Sequence, residues 1–200
     1  MLSDTRRYQF LEHIGRNPVI AQILERMPSF GAPDCWLVSG CLFQTVWNVL
    51  DGRDPENGIL DYDLFYFDAR DLSYEAEDRW IKRCEDHYAN VGGRVELRNQ
   101  ARVHLWYPQK FGVDYPRLGS ACDGVRHFLA QACVIAVRPA GQGGLDLFAP
   151  LGFEDVFARI IRPNPLWPDG PRERLQEKFA RWQSVWPSLR LIENPPPTRR

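Results

Sequence analysis

The sequence carries almost no surplus charge. Its 25 Lys and Arg nearly balance its 26 Asp and Glu, for a net charge of −1, so no global basic field advertises a nucleic-acid partner. Cysteine is scarce and unpatterned. The five residues, at 35, 41, 84, 122 and 133, form no Cys-x-x-Cys pair, and an odd count argues against a zinc ribbon or a disulfide framework. Reduced thiols in the cytoplasm are the simpler expectation. No apolar run approaches the ~18 residues of a membrane span, and no signal-type segment follows the first residues, so no membrane partner is expected. A Gly-x-Ser-x-Gly elbow is missing, which speaks against a serine hydrolase, and so is the Gly-x-x-x-x-Gly-Lys-Ser/Thr phosphate loop. There is no internal repeat.

What the chain does have is apolar substance. Hydrophobic residues make up 44% and there are seven Trp, enough for a packed core in one domain over 1–192. Charge is also segregated. Residues 51–88 hold twelve acidic residues against five basic, and 159–200 hold nine basic against four acidic. An acidic middle and a basic end could face a metal and a polyphosphate, or could simply be two solvated helix surfaces.

The chain is organised around residues 36–67. An apolar run, Trp36 to Val38, reads as a strand. It meets the small-residue turn Ser39-Gly40-Cys41, and Leu42, Val46, Val49 and Leu50 then give a buried helix face. A small-residue turn entering a helix N-terminus suits a phosphate group. After turn chemistry at 51–58 comes a second strand, Asp61 to Phe67. Residues i and i+2 of a strand share a face, so Asp61 and Asp63 are expected to project together at its mouth. Two carboxylates held that close repel, and a bound divalent cation, Mg²⁺ or Mn²⁺, is the usual remedy.

Elsewhere the reading is more routine. Residues 4–26 read as two helices, the second capped by Asn17 with Pro18 behind it, and 28–33 as a loop. Ser73 caps a helix running to Tyr88. A short strand spans 94–98. Residues 99–107 fit either a short helix or a continued strand. Ser120 opens a helix expected to reach Gln131, which accounts for Asp123 without catalysis. His104 reads as a structural histidine. Strands are expected at 133–138 and 145–148, a short helix at 152–158 and a last helix at 172–186. Residues 193–200 read as a disordered tail.

At Ser39-Gly40-Cys41 and Asp61-Tyr62-Asp63 the sequence resembles the nucleotidyltransferase superfamily that includes DNA polymerase β and the tRNA nucleotidyltransferases (CCA-adding enzymes). That superfamily has a Gly-Gly or Gly-Ser turn and then an Asp-x-Asp or Asp-x-Glu pair. Here either Ser39 stands where the first Gly is expected or Cys41 stands where the Ser of Gly-Ser is, and the loop between the motifs is longer. The stretch Glu96 to Trp106 is similar to that of a bacterial branch described as nucleotidyltransferase-like. Segments 132–136, 145–148, 152–156 and 158–162 resemble, more weakly, the order seen in tRNA nucleotidyltransferase heads.

The resemblance implies an α+β fold, a mixed β-sheet flanked by helices, with a catalytic core over about 30–160. It implies metal-dependent transfer of a nucleoside monophosphate from a nucleoside triphosphate to a hydroxyl acceptor, with pyrophosphate released. Asp61 and Asp63 would be the metal carboxylates and Glu96 the third acid. Ser39, Gly40 and Cys41 would bind phosphates. Arg98 and Arg102 could meet the triphosphate or pair with carboxylates. Arg172, Arg174 and Arg181 are further candidates for the nucleotide. The acceptor (small molecule, protein or RNA) stays open. The rival expectations are a catalytically inactive nucleotide-binding or interaction protein on the same fold, and a metal-dependent phosphohydrolase.

Overall fold

A computed structural model describes residues 2–193; most of the expected tail, 194–200, lies outside the described residues. The chain folds as α1 (Leu2–Ile14), α2 (Pro18–Phe30), β1 (Trp36–Val38), α3 (Gly40–Leu50), β2 (Tyr62–Tyr66), α4 (Tyr74–His87) and β3 (Val95–Asn99). Then come α5 (Val103–Phe111), α6 (Ala121–Arg126), β4 (Ala136–Pro139), β5 (Leu145–Phe148), α7 (Glu154–Ala158), β6 (Ile160–Ile161), α8 (Arg172–Val185) and β7 (Arg190–Leu191).

Five strands form one sheet in the order β3-β2-β1-β4-β5. Only β2 and β3 run parallel; the other neighbours are antiparallel. This is the mixed sheet of an α+β fold. Side chains alternate across it. Leu37, Leu64, Tyr66 and Leu97 face a large core shared with α1–α4 and α8. Trp36, Val38, Phe65 and Ala136 face a smaller core closed by Ala121 and Val125 of α6.

Local chemistry sets the helix starts. The Asn17 side chain accepts from the Val19 and Ile20 N–H groups, Ser73 from Ala76 and Ser120 from Asp123. Each satisfies orphan donors of a first turn. Helix ends were harder to read. The expected loop at 28–33 is shorter, because α2 runs through Pro28 to Phe30, whose ring is fully buried, and stops at Gly31 with φ 71°. The helix after Ser120 ends at Arg126 rather than Gln131. Residues 99–107 form a short 3₁₀ turn and then α5, not a continued strand.

Helix α3 is the internal post. Trp47 donates to the Val156 carbonyl at 3.0 Å. Asn48 donates to the Pro55 and Asn57 carbonyls at 3.0 and 2.8 Å and accepts from the Trp186 indole at 2.8 Å. These buried bonds fix the long loop between α3 and β2, and so deliver Asp61 and Asp63 to a defined place. Trp182 and Trp186 meet Phe43 and Trp47 edge-on at 5.4 Å, which holds α8 against α3.

Candidate active site

A cleft of about 260 Å³ opens over the smaller-core face of the sheet, where the start of β2 meets the start of α3. Ser39, Gly40, Asp61, Asp63 and Arg98 all line it. The strand begins at Tyr62 rather than Asp61, yet both carboxylates still reach the cleft.

Asp63 is the centre of the arrangement. In the sheet it stands beside Val38 of β1 on one side and Glu96 of β3 on the other. Desolvation raises its pKa most, the charges of Asp61 and Glu96 add to this, and Lys178 and Arg98 offset part of it; the result is about 7. The carboxylate therefore sits in a place that disfavours its negative charge. Glu96 shares the face but is engaged by Arg94 at 2.6 Å and Arg98 at 3.6 Å. Among the described residues no group of three or more His, Cys, Asp or Glu is arranged to hold a metal ion.

The turn into α3 is strained. Ser39 has φ 55° and ψ −108°, a conformation that glycine adopts readily and other residues do not. This is the place where the resembling superfamily has its first Gly. The Ser39 N–H donates to the Ile135 carbonyl at 2.9 Å, and its own carbonyl accepts from Leu42 and Phe43. The turn is thus pinned to the chain before β4, and the N–H groups of Gly40 and Cys41 open the helix without intrahelical partners. The Ser39 hydroxyl bonds the Cys133 thiol. Cys41 itself is buried, and its thiol pKa is pushed well up by burial and by Asp63 and Asp61, so only its backbone is placed for a phosphate.

Arg102 does not line the cleft. It forms an ion pair with Glu77 of α4 and donates to the Leu72 carbonyl at 2.9 Å. Its bidentate fork is spent on holding α4 against the turn after β3. His104 accepts from Arg117 at 3.2 Å and is also outside the cleft. Arg172 is not part of the lining, whereas Arg174, Lys178 and Arg181 are. These three follow the i, i+4, i+7 spacing of one helix face. The sequence reading passed over Lys178, although that spacing was there to find.

The same cleft has an aromatic wall. Trp106, Tyr107 and Phe111 of α5, with Tyr115 and His127, line it as well. His127 Nδ1 lies 2.7 Å from the Asp123 carbonyl. A carbonyl can only accept, so Nδ1 carries the proton and Nε2 of the neutral ring is left as an acceptor. Gly124 is needed on this side: a Cβ there would lie 2.1 Å from Oε1 of Gln100, another cleft residue.

The sequence model of the protein family described as Nucleotidyltransferase matches residues 25–191, from within α2 through β7. The chain belongs to that nucleotidyltransferase family. A solved NMR structure described as revealing a CCA-adding enzyme head domain superposes on it with a TM-score of 0.76. That match covers 92% of this chain and 95% of the other, at 23% identity, and shows a shared fold. No curated protein matches the chain.

Proposed function

We propose that the protein is a metal-dependent nucleotidyltransferase, moving a nucleoside monophosphate from a nucleoside triphosphate to a hydroxyl acceptor. The observation that carries this reading is the convergence on one cleft of Asp61 and Asp63, the start of α3 and the cations of α8. Family membership supports the transfer chemistry.

The donor set fits a hard divalent ion. Asp61 and Asp63 offer only carboxylate oxygens, and Asp63, raised first by burial and then by the charges of Asp61 and Glu96, would gain from a cation beside it. When bound there, Mg²⁺ or Mn²⁺ would supply charge neutralisation for the phosphates and acidify the attacking hydroxyl. The chain's own groups do the rest. The N–H groups of Gly40 and Cys41 hold the outer phosphates at the positive end of α3. Lys178 and Arg181 balance their charge from across the cleft. Arg98 stands beside Glu96 and can turn to a phosphate oxygen. The acceptor oxygen attacks the α-phosphorus in line, the bond to the departing pyrophosphate breaks, and Glu96, next to Asp63 in the sheet though not itself in the cleft lining, would take the hydroxyl proton once released from Arg94.

One observation favours the rival, a nucleotide-binding protein without turnover: Glu96 is already held by Arg94 and Arg98. Both readings suit a cytoplasmic protein with its five thiols free; among the described residues no helix is long and apolar enough to cross a membrane.

The test uses triphosphates labelled on the α-phosphorus, with Mg²⁺ and separate RNA, protein and small-metabolite fractions as acceptors. Transfer of label with pyrophosphate release, lost in Asp63→Asn, is expected. Inorganic phosphate as the product would overturn the reading in favour of hydrolysis. Nucleotide binding with neither product would favour the inactive rival.

A further inference from the structure

The cleft lining joins acids and cations to a set of rings, and a nucleotide likewise joins a charged phosphate chain to an aromatic base. We propose that the aromatic recess built by α5, Tyr115 and His127 receives the nucleobase of the donor triphosphate. The proposal rests on the nucleotide site described above and adds where the base goes.

The recess is a built feature. Tyr107 lies 4.5 Å from Phe111, 4.6 Å from Tyr115 and 5.8 Å from Trp167, centroid to centroid. Tyr115 lies 4.9 Å from His127. Ring clusters usually serve a core, but these rings belong to neither of the two cores. Trp106, Tyr107, Phe111, Tyr115 and His127, which line the cleft, are all partly accessible. They come from the neighbouring segments of 106–127, and Trp167 packs against them from later in the chain.

Arg174 links the charged groups to the rings. Its guanidinium sits 3.7 Å from the centre of the Phe111 ring, so a cation of the phosphate-facing helix is already stacked on the aromatic wall. A triphosphate held by the α3 terminus and α8 has its ribose and base left to place, and the rings are the apolar surface within the same cleft. Stacking on aromatic faces is how proteins hold single bases, and it tolerates different bases because each has a π-face.

The experiment compares inorganic tripolyphosphate with each of the four ribonucleoside triphosphates by calorimetry, with Mg²⁺, on the full chain. At least one nucleotide is expected to bind about ten-fold or more tightly than tripolyphosphate, the size of one base–aromatic stack. Tyr107→Leu and Trp106→Leu are expected to erase most of that difference and leave tripolyphosphate affinity within about two-fold. Two variants are used so that the loss of either fold leaves the other to decide. Equal affinity of tripolyphosphate and all four nucleotides for the wild type would overturn the proposal while leaving the phosphate site standing. So would variants that keep the difference. If neither tripolyphosphate nor any nucleotide binds, the nucleotide site itself fails and the recess falls with it.

Discussion

Asp63 and Glu96 stand side by side in register on the parallel strands β2 and β3, on the sheet face that carries the cleft. Burial raises the cost of ionising Asp63 most, and the charges of Asp61 and Glu96 add to it. The folded protein holds Asp63 at about 7, whereas an unfolded Asp titrates near ~3.9.

A stability penalty that grows with pH follows. For a raised carboxyl, the unfolded state ionises first as pH rises, so stability falls between about pH 4 and pH 7 and then levels off. Asp63→Asn removes that penalty. Urea unfolding without metal should find the variant more stable than wild type by about 4 kcal/mol at pH 8, with the gap closing by pH 4. Added Mg²⁺ should narrow the gap at pH 8 by stabilising the wild type alone.

The strained turn makes a second prediction. Ser39→Gly and Ser39→Ala both lose the hydroxyl that bonds Cys133, but only glycine relaxes at φ 55°. The glycine variant should therefore be the more stable by about 1 kcal/mol, the reverse of the usual order near a helix. Comparing the two denaturation midpoints checks this.

Arg102 and Glu77 form a pair whose side chains are only 11% and 7% exposed. Breaking it leaves a buried carboxylate without its counter-charge, held only by the Asn99 N–H. Arg102→Met should cost about 3 kcal/mol of stability and leave the nucleotide dissociation constant of the folded fraction unchanged. Chemical unfolding and equilibrium binding together separate this from a role in the site.

Lys178 faces Asp63 from α8 and partly offsets its raised pKa. Lys178→Met should weaken triphosphate binding about ten-fold, the scale of one charge-assisted contact. A titration at two salt concentrations should also find a shallower salt dependence than in the wild type.

How much of this was legible depends on range. The caps Asn17, Ser73 and Ser120 are local events, written within three residues of each helix start. Asp61 and Asp63 were readable because strand periodicity fixes i and i+2, and the turn at Ser39 because a short apolar run ends there. Residue type alone does not separate Arg98 from Arg102: one lies in the cleft, and the other turns to Glu77, a partner 25 positions back. The end of α2 was hidden because burial of Phe30 carries the helix through Pro28. The recess was out of reach for a similar reason. Tyr107, Tyr115, His127 and Trp167 signal nothing by spacing, and only tertiary packing brings them together.

The central claim is that Asp61 and Asp63 form a metal-dependent nucleotide site with the α3 terminus. Thermal unfolding with each triphosphate plus Mg²⁺ or Mn²⁺, on wild type and on Asp63→Asn, tests it most directly. A nucleotide at 100 times its dissociation constant adds about 2.7 kcal/mol, or about 5–10 °C for a chain of this size. The account predicts such a rise in the wild type, dependent on the metal and lost in Asp63→Asn. No rise with any nucleotide, or an equal rise in both proteins, would contradict it.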